Sequence, residues 1–454
     1  MSFGAENVII TLGAEGSYIA NKEIRAFIPT FKVNAIDTTA ADTYCGSLAV
    51  ALTEGRNWKE AIEFASAASA ISVTKLGAQP SVPFRHKETK IPLAQLALAP
   101  MYYHRDLAKS IVRYVFKRMN KKGELHMAEH GYGFVSHGTL FGSDNQLYPL
   151  WAMGEWLRIT KDNAFLLETT EYYPMNSGAK GNMIQKIEEA FLYIRDEVRI
   201  GKHGLIRNVN SDWSDDVHFV SANAPFNRNF MNSESNTNSA MAIVVLNTLA
   251  DELEKASINP ILIAEKERIQ TLVSAIRFFR TGLLQAVNKE LEGRKILTAY
   301  HFFDSDWGAD KIFLLPNAFA LQIPKLALAK KIDLYNELNI RVSKPEKLGA
   351  RNREEPQTDG LHYAQLGTGK NGGIWWCPNA QYILGVNTFD KKRAKELFNK
   401  TLFTYHAKTF PKYWVGQWTA SDFMHSSISN SEGASNNYPF APYRTLSSCI
   451  YIIN

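Results

Sequence analysis

His203-Gly204-Leu205-Ile206-Arg207-Asn208-Val209-Asn210-Ser211-Asp212-Trp213-Ser214-Asp215-Asp216 sets three carboxylates, an indole and a guanidinium within a short span. Its Gly, Asn and Ser content reads as a loop. On both sides the pattern turns helical, with apolar positions three and four apart over Met183–Val198 before it and Thr237–Lys255 after it. The same spacing predicts helices over Asp106–Met119, Gln146–Ile159, Ala264–Val287, Asn317–Ala329, Ala380–Val386 and Lys391–Tyr405. The connections between them are long and rich in Gly, Asn, Asp, Ser and aromatics, as functional loops on a rigid scaffold are. A Trp face beside acids suits a sugar: the indole packs on the apolar face of the ring and a carboxyl reaches a glycosidic oxygen. A solvated acidic turn with a half-buried Trp is the plainer reading of the same residues.

A chain of 454 residues is long enough for two or three domains. Hydrophobic residues make up 45% and charged residues 21%, a globular composition. The net charge of +6 falls wholly in 96–454, because 1–95 holds nine Lys/Arg and nine Asp/Glu. That mild excess accommodates an anion such as phosphate, but no Lys/Arg cluster of the kind nucleic-acid binding needs is present. Cys45, Cys377 and Cys449 are far apart and form neither a metal-spaced pair nor a disulfide framework. The start reads as no signal peptide and no apolar run is long enough for a bilayer, so the expectation is a cytoplasmic protein with no membrane partner. Oligomeric state is left open.

In the first ninety residues, Val8–Leu12 and Ser17–Ala20 read as a hairpin around Gly13-Ala14-Glu15-Gly16. Leu48–Leu52 and the Ala-rich Trp58–Val73 read as helices. Ile36–Gly46 reads as a small-residue turn ahead of the first helix, able to cap it or to hold an anion.

Three pieces of this region, Thr11–Gly16, the Asp37–Gly46 turn and Val73–Pro83, resemble the C-terminal third of ribokinase-type carbohydrate kinases, over about residues 7–86. The resemblance implies a partial α/β segment. It implies that Asp42 is the base that takes a sugar hydroxyl proton and that Asp37 lies near a monovalent-cation site. It places Gly13, Gly16, Thr39 and Ala41 around the nucleotide and its phosphates. ATP, Mg and a monovalent cation would be needed if this segment were active. The family loop runs Asp-Thr-Thr-Ala-Ala-Gly-Asp-Thr, whereas here Ala41 is followed directly by Asp42. Loss of one such anion-hole donor costs roughly 3 kcal/mol in comparable sites. The family's sugar-binding region and lid have no counterpart here, and phosphoryl transfer relies on that positioning.

Residues 87–100, charged and then Ala/Leu-rich between prolines, read as a linker, which gives units at 1–86 and 101–454. In the second, Gly204-Leu205 with Asp212-Trp213-Ser214-Asp215 and the segment Gly142–Trp151 resemble the cellobiose and chitobiose phosphorylase family. That implies an (α/α)6 barrel of the six-hairpin glycosidase type, so the expected fold is mixed: a partial ribokinase-like α/β segment, then a mainly α-helical (α/α)6 barrel. It implies glycosidic cleavage with inversion, Asp215 being the general acid and Trp213 lining the sugar site. Asp215 needs a raised pKa, from burial and from Asp212 and Asp216 beside it. Asp144 would contact a sugar hydroxyl or cap a helix. Asn371–Trp375 corresponds to an Asn-Gly-Gly loop near the anion site, and Trp414–Asp422 is a further aromatic, acidic loop. Asp212, Trp375 and Trp418 join the sugar contacts. The ligand would be a disaccharide or small oligosaccharide, with inorganic phosphate as co-substrate in a phosphorolysis and no resident cofactor. In a hydrolysis a second carboxylate activates water, and Asp422 and Glu234 are the candidates. The family's Gly-Phe-Arg-Asp segment and β-sandwich have no match here. Two rival expectations stand beside this one: a sugar kinase with an appended helical domain, and a joined pair of fragments that at best binds carbohydrate.

Overall fold

The computed structural model describes residues 5–36, 40–53, 55–74, 98, 100–125, 143–174, 177–209, 213, 233–298, 300–302, 311–354, 365–413 and 423–435. The chain divides into two units, Met1–Lys87 and Glu88–Asn454.

In the first unit the expected hairpin forms between β1 (Val8–Thr11) and β2 (Gly16–Ala20), and an unforeseen β3 (Arg25–Pro29) makes it an antiparallel meander. Two-residue periodicity sorts the side chains. Ile19 and Ile28 turn inward onto Tyr44, Ile62 and Ala65, with Ile9 packed behind them. Ile10, Tyr18 and Phe27 form a cross-strand row on the open face. Helix α1 runs Ala40–Thr53 and α2 runs Trp58–Ser72. The first helix thus starts eight residues before the expected Leu48, and Asp42 sits in its first turn rather than in a turn ahead of it. Small helix-favouring residues and the inward burial of Thr43 and Tyr44 explain the longer helix. Asn57 caps α2, its side chain accepting the Glu60 N–H at 3.0 Å.

The second unit is mainly helical. In chain order it carries α3 (Arg105–Lys117), α4 (Leu147–Thr160), the pair β4 (Thr169–Glu171) and β5 (Lys180–Asn182), and α5 (Met183–Tyr193). Then come β6 (Ile206–Arg207), β7 (Ser233–Ser235), α6 (Asn236–Ser257), α7 (Lys266–Arg294), β8 (Tyr300–Phe302), α8 (Leu314–Gln322) and α9 (Leu328–Leu338). β9 (Ile374–Trp375), α10 (Trp376–Asn387), α11 (Lys391–Thr401), α12 (Phe403–Thr409) and β10 (Phe423–Met424) complete it.

From α3 to α11 burial alternates from helix to helix. In α4 every residue from Leu147 to Leu157 is buried, and α6, α8 and α10 are buried on nearly all sides. Helices α3, α5, α7, α9 and α11 each bury one stripe and wet the other. The first set packs on itself in the order α4, α6, α8, α10, and the second backs it. Inner helices alternating with outer ones is the plan of an (α/α) barrel. Inner neighbours approach closely: a Cβ on Gly385 of α10 would lie 2.5 Å from Leu321 Cβ of α8. Two expectations fail here. Lys391–Tyr405 is not one helix, because Leu402 turns to extended backbone (ψ 144) between α11 and α12. Asn317–Ala329 is not one helix, because Pro324 stops α8 at Gln322 and the chain restarts as α9. Among the described residues no helix is long and apolar enough to cross a membrane.

Candidate functional site

Side-chain bonds tie the N-terminal ends of the four inner helices together. Asn238, in the first turn of α6, donates to Ser143 Oγ just ahead of α4 (2.8 Å). Asn236 donates to Thr298 Oγ1 (3.3 Å), one residue past the Leu297 that Asn317 of α8 grips. Asn317 Oδ1 accepts the Leu297 N–H and its Nδ2 donates to the Leu297 carbonyl, both at 2.7 Å. Asn379 of α10 repeats the device on Ala350, at 2.6 and 2.9 Å. Leu314 N donates to the Asn352 carbonyl, and Asn352 N donates in turn to Gly373. Four positive helix ends therefore share one end of the barrel. The buried polar side chains gather there too: Ser143, Asp144, Asn145 and Gln146 before α4, Ser233 to Ser239 at α6, Arg351 to Arg353 before α10.

Strand pairing furnishes this mouth with aromatic rings. β9 and β10 pair antiparallel with Phe423 opposite Trp375 and Met424 opposite Ile374. Ile374 and Met424 face inward against Leu348 and Trp376. The alternate residues therefore share the other face, half-buried. Trp375 and Phe423 lie 5.0 Å apart between centroids, and His425 stacks on Phe423 at 6.2 Å with planes 11° apart. Trp213 meets Trp375 edge-on at 5.5 Å, and Lys370 Nζ lies 5.4 Å from the Trp213 ring centre. The Trp375 Nε1–H is buried and has no hydrogen-bond partner among the described residues.

The predicted residues divide three ways. Trp213 and Trp375 are brought together. Asp144 lies in the buried turn ahead of α4, its Oδ2 3.5 Å from the Tyr148 hydroxyl. It does not cap that helix, whose cap position is Gln146. Glu234 is wholly enclosed in β7. Its carboxylate accepts the backbone N–H groups of His203 (3.0 Å) and Leu205 (2.9 Å), and His203 Nδ1 lies 2.8 Å away. Its acceptor sites thus hold the His203–Leu205 loop, a different task from activating water. Asp215, Asp212, Asp422, Trp418, Asp37 and Thr39 lie outside the described residues.

In the first unit Ala41 and Asp42 are exposed at the start of α1. Gly13 adopts φ +59 with open space around it. Gly16 is required by the sheet: at φ +131 a Cβ would lie 2.2 Å from the Ile28 carbonyl oxygen. Among the described residues no group of His, Cys, Asp and Glu could hold a metal ion.

Sequence reading passed over Lys370, Phe423, His425 and the asparagine rivets. A signal for the rivets exists. Pro316-Asn317-Ala318 and Pro378-Asn379-Ala380 are the same tripeptide at the same place in two inner helices.

Comparison with known proteins separates the two units. Residues 1–85 match the pfkB family of carbohydrate kinases. The matched part is 52% identical over 85 residues to a ribokinase of Haemophilus influenzae, covering 18% of this chain and 28% of that enzyme. The chain spans less than a third of the length of the curated ribokinases it matches. Over the longer part, a GH63 mannosylglycerate hydrolase from Thermus thermophilus in complex with glucose aligns at TM-score 0.49 and 9% identity. It covers 80% of this chain and 92% of that one. A rhamnosidase from Klebsiella oxytoca with rhamnose bound aligns at TM-score 0.47 and 10% identity, covering 84% and 61%.

Proposed function

We propose that the helical unit cleaves a glycosidic bond with inversion, by phosphorolysis or hydrolysis, at the mouth formed by its inner-helix N-termini. One observation carries this: Trp213, Trp375 and Phe423 form an aromatic wall at the polar end of a helical barrel. Such a wall takes the C–H face of a sugar ring, and polar groups around it take the hydroxyls.

The chemistry is assigned to the loop that Trp213 anchors. Asp215, two residues further on, gives its proton to the leaving oxygen as the bond to the anomeric carbon breaks. Inorganic phosphate, or water activated by Asp422, attacks that carbon from the opposite face and inverts it. Glu234 contributes by fixing the His203–Leu205 loop that leads to Trp213. Incubation with α- and β-linked disaccharides, with and without phosphate, is the test. Sugar 1-phosphate formed only with phosphate means phosphorolysis, and inverted free sugar formed without it means hydrolysis. Release of neither product from any disaccharide overturns the reading.

A second reading rests on the 52% identity of the first unit to a ribokinase. On it the chain phosphorylates a sugar from ATP with Asp42 as base. ATP-dependent phosphorylation of ribose, lost in Asp42→Asn, would establish it. Its absence in the unaltered chain would dismiss it.

A further inference from the structure

We propose that His425 is a substrate-contacting residue of this mouth, the polar end of its aromatic row, meeting a sugar hydroxyl through Nε2. The proposal rests on the carbohydrate reading above and adds a residue and an atom to it.

The strand register places the imidazole. His425 lies two residues beyond Phe423, hence on the same face of the β9–β10 ribbon as Phe423 and Trp375. Its near-parallel stack on Phe423 agrees. The ring is half-buried, so it is both held and reachable. One nitrogen is already engaged: Nδ1 lies 2.7 Å from Ser431 Oγ and 3.3 Å from Ser429 Oγ. Nε2 has no hydrogen-bond partner among the described residues. Burial pushes the His425 pKa down, so the ring is neutral at pH 7 and bears one N–H and one lone pair. A neutral imidazole fixed at one nitrogen and open at the other is a directional partner for an uncharged hydroxyl.

The segment that carries the ring is fastened independently of it. Ser427 donates its N–H (2.8 Å) and its hydroxyl (2.7 Å) to the buried Glu346 carboxylate. Ser426 N donates to the Gly367 carbonyl (2.9 Å), and Lys347 pairs with Glu432 at 2.9 Å. His425 can therefore be changed without releasing the ribbon.

The test is titration of the full chain with cellobiose, maltose, sucrose and trehalose, followed by tryptophan fluorescence, in the unaltered protein and three variants. His425→Phe keeps the stack and removes both nitrogens. Ser431→Ala keeps the imidazole and removes the shorter of the two Nδ1 contacts, leaving Ser429 Oγ at 3.3 Å. Trp375→Phe alters the wall itself. The expected result is binding of at least one sugar, weakened roughly three- to tenfold by His425→Phe, the loss of one neutral hydrogen bond. A smaller loss is expected from Ser431→Ala, with the unfolding midpoint unchanged in both. Binding weakened by Trp375→Phe but unmoved by His425→Phe and Ser431→Ala would overturn the role of His425 and leave the sugar site standing. Binding of none of the four sugars by the unaltered chain would overturn both.

Discussion

The first unit matches a ribokinase at 52% identity, and the second carries the larger gathering of buried polar and aromatic side chains among the described residues. Residues 1–85 are half identical to a ribokinase, yet the aspartate that would act there stands exposed on the first turn of α1. The two solved structures compared over the longer part are 9% and 10% identical to this chain, yet its inner helices start at one polar mouth, riveted by paired amides and lined with aromatic rings. Identity records descent of a segment. A working site needs groups held against one another around a substrate, and among the described residues it is the second unit in which polar and aromatic side chains gather in that way.

The sharpest way to break this contrast is to remove each unit's candidate acid or base in turn. Asp215→Asn is expected to lower disaccharide cleavage by about 10²- to 10⁴-fold, the usual worth of general acid catalysis. Asp42→Asn should leave that rate unchanged. Product release over time measures both, and the reverse pattern would move the activity to the first unit.

Next in size is the rivet at the mouth. Asn379→Ala removes both bonds to Ala350 and the donation to Trp375 O, and it leaves a buried N–H and C=O unpaired. A loss of roughly 2–4 kcal/mol is expected. Denaturant unfolding followed by tryptophan emission checks it, since eight of the nine Trp residues lie in 101–454.

Lys186 of α5 gives a pH test of the same unit. Its Nζ is fully buried and donates to the Phe116 carbonyl at 2.9 Å, and burial lowers its pKa from 10.5 to about 8. Below pH 8 both folded and unfolded chains carry this proton. Between pH 8 and 10.5 only the unfolded chain does, so the group adds stability as pH rises through that window, up to about 3 kcal/mol. The unfolding free energy of the unaltered protein minus that of Lys186→Met should climb across it, and a flat difference would refute the assignment.

The smallest effect concerns the arm behind the aromatic row. Glu346→Gln keeps the size but removes the charge that Ser427 and Arg351 share, Arg351 Nε lying 3.1 Å away. About 1 kcal/mol of local stability should go, seen as faster hydrogen exchange at the Ser427 amide with the global midpoint little changed.

Much of the fold was legible in the sequence because helices announce themselves locally. The runs beginning near Gln146, Met183 and Lys391 show their spacing within a few turns, and the Val8–Ala20 hairpin shows its alternation. Pro324 lies inside an apolar run whose spacing reads as helical on both sides, and its ring ends α8 all the same. The mouth was half legible. Trp213 and Trp375 stood out as aromatics in polar loops. Lys370 and His425 did not, because what matters about them is a neighbour 157 or two residues away across a fold. Strands of two residues, such as β9 and β10, carry too little pattern to be read, and their register is what aligns Phe423 with Trp375. The bonds of Glu234 to the His203–Leu205 backbone could not be read from the sequence for a related reason. Which backbone groups a carboxylate accepts is set by the fold and leaves no mark in the local sequence.

Direct observation of where a bound sugar lies tests the central claim most simply. A crystal of the protein soaked with a disaccharide that it cleaves or binds should show a sugar ring against Trp213 and Trp375, with a hydroxyl at His425 Nε2. A sugar seated beside Asp42 in the first unit, with the barrel mouth empty, would contradict the account.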